Sequence, residues 1–374
     1  MENPETVLVL EYKETFKEKH MSKYIVSLVV AMMFFSTSAF ADYQMIVPQG
    51  PGGGTDTWAR LVAVELEKKL GEQIIIVNIP GREDIAGFNE FHNELRYDDK
   101  TIMVSHGGNA ESYLLSPVEY NYHDYSLIAL SNLTIMVGKR NDQDVEAQVK
   151  FAAGSGQNPD SMAITMMVCG PQKEDTMQVY EQCFREKIIY VPGMGGGARR
   201  KAYMGGELNV TRESPARYKK SPAQLAENVT WFTHGVLDLE SGNIVDDINS
   251  PGLLFADVYK ARWGVAPSGT FYDAYVLLKN YRDVLQKALW VDPSNPNKET
   301  IENAVRAMIA DPESSKILIK NSGDYEWIVG EANGVRVLSI LQSQTTEQNL
   351  RNLVWWNSTL YGQTAVFKSE LLAD

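Results

Sequence analysis

Two glycine-rich turns contain the residues of this chain that are best suited to bind a ligand. Residues 50–56 read Gly-Pro-Gly-Gly-Gly-Thr-Asp, and residues 191–198 read Val-Pro-Gly-Met-Gly-Gly-Gly-Ala. Each turn follows a short apolar run typical of a β-strand and precedes a stretch that is predicted to be helical. Glycine lets the backbone approach a ligand closely, and the first N–H groups of a helix have no partner inside it. Because the helix dipole also favours negative charge there, each turn is predicted to bind a carboxylate or phosphate.

The two turns lie about one domain apart in the sequence, which predicts two lobes that grip one ligand between them. A third polar loop, residues 105–110, reads Ser-His-Gly-Gly-Asn-Ala and follows the predicted strand at 101–104. Open α/β sheets bind ligands at the carboxyl ends of their strands. The third loop is therefore predicted to lie at a ligand-binding edge.

Strands that alternate with helices are predicted to position these loops, an order typical of βαβ units and a mostly parallel sheet. The pattern predicts strands at residues 43–48, 73–77, 101–104, 127–137, 161–167, 188–191, 231–234 and 263–267. It predicts helices at residues 57–70, 85–95, 173–184, 275–289, 298–310 and 313–320, with one or two more within 334–356.

The composition limits the classes of function. The chain has 374 residues, 44% of them hydrophobic and 22% charged, which is enough for two globular domains with real cores. Its net charge of −13 argues against a nucleic acid as partner. The five histidines show no metal-ligand spacing, and no nucleophile is paired with a base. We therefore predict no metal, no cofactor and no catalysis.

The first 41 residues are predicted to be an upstream extension and a signal peptide. Residues 24–35 form an apolar run that is too short to span a bilayer, and residues 38–41 read Ser-Ala-Phe-Ala, ending in an A-x-A cleavage pattern. We expect cleavage after Ala41 and export to the periplasm, with Met21 as the true start. The competing interpretation is that the apolar run stays as a membrane anchor.

Cys169 and Cys183 are the only cysteines, and a pair in an oxidising compartment is a disulfide candidate. The predicted helix at 173–184 argues against a bridge. At 1.5 Å per residue such a helix would hold the two cysteines more than ~10 Å apart, beyond disulfide reach. The prediction from the sequence is that they do not pair.

Over most of its length after residue 41, the chain resembles the solute-binding proteins of tripartite tricarboxylate transporters. The order and spacing of several segments carry the resemblance. They are the strand and Pro-Gly-Gly-Gly-Thr-Asp of residues 48–60, Asn-Ile-Pro-Gly at 78–81, the crossing strand at 128–137, the glycine cluster and Gly-Gly-Glu-Leu-Asn-Val within 190–210, and Trp-Gly-Val-Ala-Pro-Ser-Gly at 263–269.

The resemblance implies an α/β fold of two lobes, the clamshell of type II periplasmic binding proteins, with a mostly parallel sheet flanked by helices in each lobe. Lobe 1 would comprise residues 42–138 and 259–330, lobe 2 residues 139–258, and a C-terminal helical segment residues 331–374. Such a monomer closes on a small organic carboxylate and hands it to membrane permease subunits. The ligand-binding positions carried over are Gly52, Gly53, Gly54, Thr55, Asp56, Ser105, Asn109, Gly195, Gly196, Gly197 and Ala198.

Arg212 is a departure from the family pattern, because it stands shortly before a proline where an acidic or small residue is common. Two interpretations stay open. Arg212 is a solvated surface charge, as most arginines are, or its planar fork binds a ligand carboxylate in a bidentate pair. Asp56 is expected to cap a helix more than to touch the ligand, and His106 is expected to be structural or exposed.

Two other functions remain open on the sequence alone. One is a ligand-sensing protein that signals to a membrane kinase instead of a permease. The other is an exported enzyme that uses the glycine turns for a nucleotide or phosphate. The enzyme is disfavoured because the P-loop lysine is missing and residues 50–53 do not fit G-x-G-x-x-G. Dicarboxylates, tricarboxylates, aromatic acids and acidic amino acids all suit such a cleft.

Overall fold

The computed structural model describes residues 42–81, 84–154, 158–214, 228–362 and 364–372. The predicted extension and signal peptide, with the cleavage site after Ala41, lie outside the described residues. In the part of the chain that is described, no helix has both the length and the apolar character needed to cross a membrane.

The described residues form thirteen β-strands and twelve α-helices. The strands are β1 (Tyr43–Val47), β2 (Ile74–Asn78), β3 (Thr101–Val104), β4 (Ser126–Asn132), β5 (Met136–Arg140), β6 (Val149–Ala152), β7 (Ile188–Val191), β8 (Val210–Glu213), β9 (Asn228–Thr233), β10 (Val236–Leu237), β11 (Ile244–Val245), β12 (Ala288–Val291) and β13 (Glu326–Val329). The helices are α1 (Gly54–Leu70), α2 (Ile85–Asn93), α3 (Gly107–Leu115), α4 (Pro159–Cys169), α5 (Met177–Lys187), α6 (Gly196–Met204), α7 (Phe255–Trp263), α8 (Thr270–Val284), α9 (Lys298–Ala310), α10 (Pro312–Ser322), α11 (Glu331–Ser343) and α12 (Glu347–Tyr361).

A six-stranded sheet is the larger of the β-layers, with strand order β13-β4-β12-β3-β1-β2. Strands β1, β2 and β3 pair in parallel, as the βαβ pattern predicts. The pairings of β12 with β3 and β4, and of β13 with β4, are antiparallel. The sheet is therefore mixed, where we expected it to be mostly parallel. The chain leaves this sheet after β4 and returns only at β12, so no βαβ crossover joins β12 or β13 to a neighbouring strand and fixes a parallel direction.

The remaining main strands form two smaller sheets. Strands β8, β5 and β9 make an antiparallel sheet, and β6 pairs in parallel with β7. The chain passes from the six-stranded sheet to the three-stranded one through residues 133–135, which join β4 to β5. The predicted crossing strand at 127–137 is thus two strands with a short break. The predicted two-lobe α/β fold is confirmed, while the second group of strands is also less parallel than expected.

Residues 161–167, predicted as a strand, belong to helix α4, in which ten of eleven residues are buried. The helix is buried on all sides, and a short, mostly apolar run of this kind does not distinguish helix from strand. The local signals for a helix are Asn158, whose side chain caps the helix by accepting from the Ser161 N–H, and Pro159 in the first turn.

The strand predicted at residues 263–267 is also absent. Trp263 ends helix α7, and Gly264 follows with a φ of +78°. A left-handed glycine directly after a helix is a common stop signal. The strand that returns to the six-stranded sheet is β12 instead.

Cys169 and Cys183 form a disulfide, with their Cα atoms 6.2 Å apart. The prediction that they stay apart was wrong because it assumed that a helix begins at residue 173 and separates them. Helix α4 ends at Cys169, a short connection reverses the chain, and α5 begins only at Met177 and packs back against α4. The bridge therefore joins two neighbouring helices.

Candidate functional site

Both glycine-rich turns open onto one cavity of about 1620 Å³. The cavity also contacts residues Leu133 and Ile135, which lie in the connection between the six-stranded and three-stranded sheets. Its walls therefore come from segments connected to both groups of strands. The predicted convergence of the two turns on a shared space is what the structure shows.

The first turn leads directly into helix α1. Gly52 has a φ of +81°, in the left-handed region that favours glycine, and Gly53 is the residue before the helix. The first backbone hydrogen bond of the helix runs from the Thr57 N–H to the Gly53 carbonyl, at 2.9 Å. The N–H groups of Gly54 and Thr55 precede this bond and have no partner inside the helix. They lie at the wall of the cavity.

Asp56 lies behind the first turn. Its buried carboxylate accepts the Gly52 N–H at 2.8 Å and the Asn78 side-chain amide at 2.9 Å, and it pairs with Arg60. Burial would raise the pKa of Asp56, but these hydrogen bonds and the Arg60 charge outweigh it and lower the pKa. Asp56 therefore braces the turn from inside the protein and is not among the described residues that line the cavity.

The second turn repeats the arrangement at helix α6. Gly195 precedes the helix, and the Arg199 N–H donates to the Gly195 carbonyl at 3.0 Å. The N–H groups of residues 196–198 therefore have no partner inside the helix. Gly195 and Gly196 line the cavity, whereas Gly197 and Ala198 are not among its described lining residues.

Two further helices begin at the same cavity. His106 precedes α3 and accepts the Gly108 N–H in a capping box with Asn109, and Asn158 precedes α4 and accepts the Ser161 N–H. His106, Gly108 and Asn158 all line the cavity. Four helix N-termini thus surround one space, and each adds a partial positive charge to it.

Ser105 and Asn109 were predicted to touch the ligand, but the structure gives them internal partners. The Ser105 hydroxyl donates to the Leu285 carbonyl, and Asn109 accepts the His106 N–H at 2.9 Å and donates to the Asp84 carbonyl. Both side chains are buried, and neither is among the described lining residues. They hold the third loop in place.

Arg212 lines the cavity and is mostly buried, so it is not a solvated surface charge. Its Nε lies 2.6 Å from a carboxylate oxygen of Asp160, a fully buried residue of helix α4. Burial would raise the pKa of Asp160, but His234, Arg282 and Arg199 outweigh it and hold the pKa below its ordinary value. Arg212 therefore borders the cavity while the Nε edge of its guanidinium is already paired with Asp160.

Sequence reasoning missed most of the charged residues in the cavity. Among the described lining residues, five carry positive charge and three carry negative charge. The cations are Arg199, Arg200, Arg212, Arg282 and Lys287, and the anions are Asp84, Glu111 and Glu213. The cavity wall is therefore cationic on balance, although the whole chain is strongly acidic.

Arg282 is buried between two carboxylates, with Glu111 at 2.6 Å and Asp283 at 2.7 Å. Burial would lower its pKa, but these neighbours raise it. The sequence contained a sign that Arg282 is buried. Arg282 lies four residues after Leu278 and three before Leu285, on the apolar stripe that runs along helix α8 into the turn after it. A charge on such a stripe needs a partner inside the protein.

Lys287 is 6% exposed and ends the 3₁₀ turn that follows helix α8. Its ammonium donates to the Thr55 hydroxyl at 2.7 Å, which places it beside the first glycine turn. Burial, and then the charge of Arg282, lower the pKa of Lys287 to about 7. Within the described residues, no cluster of three or more metal-ligating side chains is present.

No family model matches the chain. It is 22% identical over 273 residues to a UPF0065 protein of the TAR-I ttuE-ttuC' intergenic region of Agrobacterium vitis, covering 72% of this chain and 71% of that protein. This similarity extends over most of the chain, at low identity.

Solved structures share the fold. A TctC solute-binding protein from Polaromonas superposes with a TM-score of 0.53 at 15% identity, covering 83% of this chain and 98% of its own. MatC of Rhodopseudomonas palustris, solved with bound malate, also superposes with a TM-score of 0.53 at 15% identity, covering 83% of this chain and 98% of its own. The fold of this chain is therefore similar to that of these solute-binding proteins, which confirms the predicted resemblance at the level of the fold.

Proposed function

We propose that this protein is a periplasmic solute-binding protein that captures a small organic carboxylate in the cavity. It delivers the carboxylate to the membrane permease of a tripartite tricarboxylate-type transporter and catalyses no reaction. The ligand contacts are Gly52, Gly53, Gly54 and Thr55 on one side, and Gly195, Gly196 and Arg212 on the other. Asp56, Ser105, Asn109, Gly197 and Ala198 support these contacts from behind.

One observation carries the proposal. Four helix N-termini and an excess of cationic side chains surround the same cavity in a chain whose net charge is −13. Fixed N–H groups and buried cations attract an anion strongly where water is excluded. The mixture of backbone donors and arginine forks suits carboxylates, which accept several hydrogen bonds at once.

The related proteins support the same class of ligand. MatC of Rhodopseudomonas palustris was solved with malate, a small dicarboxylate. The Polaromonas protein is named a TctC solute-binding protein. The walls of the cavity come from segments connected to both groups of strands, so movement of one group toward the other would complete the site around a bound acid.

A thermal-shift screen tests the proposal. The purified protein is heated with malate, citrate, adipate, benzoate, aspartate or glutamate, and in parallel with ATP, NAD and inorganic phosphate. A specific acid at 100 times its Kd stabilises the folded state by about 2.7 kcal/mol. For a chain of this size that is a shift of the melting temperature by roughly 4 °C.

The outcome separates the two classes of function. A shift with at least one organic acid, confirmed by calorimetric titration, supports the binding protein. A shift with nucleotides or phosphate, and with none of the acids, contradicts it and favours the exported enzyme. Glycine turns alone would suit either ligand, so the acids and the nucleotides must be compared on the same preparation.

A further inference from the structure

Lys287 holds an unusual position at the first glycine turn. It lines the cavity but is only 6% exposed. Its ammonium donates to the Thr55 hydroxyl at 2.7 Å and to the Gln286 carbonyl at 3.3 Å. An ammonium has three donor positions, so these two neutral acceptors leave one donor position of Lys287 unassigned.

The other cations of the cavity all have a counter-ion, which makes Lys287 different from them. Arg212 pairs with Asp160, Arg282 pairs with Glu111, and both Arg199 and Arg200 pair with Glu213. Among the described residues, no carboxylate oxygen lies within ion-pair distance of the Lys287 ammonium. A buried charge without a counter-ion is costly, and such a charge persists where binding needs it.

Resting on the function proposed above, we propose that Lys287 forms a direct ion pair with the ligand carboxylate at the first glycine turn. Thr55 holds the amine at the N-terminus of helix α1, beside the free N–H groups of the turn. A carboxylate there would meet the N–H groups with one oxygen and the ammonium with the other. Lys287 would then gain the counter-ion that it lacks.

The groups that face Lys287 decide its charge in the empty protein. They are Arg282 from helix α8, Asp84 from the segment before α2, and His106 from the start of α3. Burial and the charge of Arg282 lower the pKa of Lys287, and Asp84 raises it only in part, so that the pKa is about 7. The Asp84 carboxylate lies 2.6 Å from His106 Nδ1.

The direction of the pH effect follows from these charges. Above pH 7 the amine of the empty protein is mostly neutral, whereas a bound carboxylate favours the charged ammonium. Each bound acid therefore brings about one proton with it. By linkage, the Kd rises about tenfold per pH unit above pH 7 until the pKa of Lys287 in the complex is reached.

Calorimetric titration tests this on the full protein. Malate, citrate and adipate are each titrated at pH 8 in HEPES and in Tris, two buffers with different ionisation enthalpies. The difference in heat gives the number of protons taken up, for which we expect about one in the wild type. Lys287→Met should weaken binding at least tenfold at pH 7 and reduce proton uptake to about zero.

Lys368→Met is the matched control. Lys368 is also a buried lysine whose pKa is lowered to about 8, mainly by burial, but it donates to the Tyr113 carbonyl and is not among the described cavity residues. This variant should keep the affinity and the proton uptake of the wild type. Lys287→Met should melt no lower than the wild type, because it removes an uncompensated charge.

This experiment distinguishes a failure of the Lys287 proposal from a failure of the proposed function. If no acid binds the wild type, the proposed function fails. If an acid binds the wild type with no proton uptake at pH 8, or binds Lys287→Met as tightly as the wild type, the role of Lys287 is overturned and the proposed function stands. The wild-type measurement keeps the role of Lys287 testable even if Lys287→Met does not fold, because an absence of proton uptake at pH 8 overturns it.

Discussion

Asp160→Asn is the substitution whose consequences the structure predicts in most detail. Asp160 is fully buried, lies 2.6 Å from Arg212, and contacts His234 Nε2 at 3.2 Å. Asparagine keeps the shape but removes the charge, so Arg212 loses its counter-ion. Breaking a buried ion pair from one side costs about 3–5 kcal/mol. We expect about 3 kcal/mol here, because Arg212 borders the cavity and can be hydrated there.

Urea unfolding, followed by tryptophan fluorescence, measures this loss. The midpoint should fall with an unchanged slope, as for a change in stability alone. Because the pKa of Asp160 is lowered in the folded protein, its contribution is present above the ordinary pKa of an aspartate. It is lost as the pH falls through the lowered value. The difference in free energy of unfolding between wild type and variant should therefore be constant from about pH 5 to about pH 7 and become smaller below about pH 4.

Glu347→Gln is the control for Asp160→Asn. It makes the same carboxylate-to-amide change in the exposed i,i+4 pair of Glu347 with Arg351, where both side chains are more than half exposed. Such a pair contributes about 0.3–0.5 kcal/mol. If Asp160→Asn were no less stable than this control, the argument that Arg212 depends on a buried counter-ion would be refuted.

The same substitution should act on binding in the opposite direction. Without Asp160, the fork of Arg212 is free for a ligand carboxylate, and a hydrogen bond to a charged group contributes about 1.5 kcal/mol or more. We expect the Kd for a bound acid to fall about tenfold in calorimetric titration. A variant that is less stable and yet binds more tightly is not explained by a damaged fold.

Three further substitutions test other parts of the structure. Gly195→Ala should leave the melting temperature unchanged, because Gly195 has a φ of −63° and no atom lies within 4 Å of the added methyl group. The methyl group should nevertheless obstruct the turn and raise the Kd for a bound acid at least tenfold. A lower melting temperature with an unchanged Kd would contradict this. Arg212→Ala should weaken binding of an acid at least tenfold in the same titration, and unchanged affinity would remove Arg212 from the site. Replacing Cys169 and Cys183 by alanine opens a loop with a sequence separation of 14. Urea unfolding should then show that the free energy of unfolding falls by about 3 kcal/mol. A decrease of less than about 1 kcal/mol would contradict this prediction.

The parts of the site that could be predicted from the sequence are those fixed by local rules. A strand, a glycine-rich turn and a helix lie next to each other in the chain at residues 43–70 and again at 188–204. Glycine content and apolar spacing within about 25 residues are enough to predict both anion-binding turns. The convergence of the turns needed the further inference that two such units face one another.

The charged residues of the cavity could not be predicted in the same way, because their partners are distant in the sequence. Lys287 meets Thr55 across 232 positions, and Arg212 meets a residue of helix α4 that the sequence pattern assigned to a strand. Isolated lysines and arginines in a sequence are most often surface residues. Only the folded chain shows which of them are buried.

The distribution of counter-ions makes the two ends of the cavity unequal. Near the second turn, Glu213 pairs with Arg200 and Asp160 pairs with Arg212, so most of the positive charge there is already compensated. Near the first turn, Lys287 has no carboxylate partner among the described residues. An anion that enters the cavity therefore gains most by placing its charge at the first turn, where it adds a counter-ion instead of competing with one. The N–H groups of the second turn and the part of Arg212 that borders the cavity can then donate to a second carboxylate or to a neutral polar group.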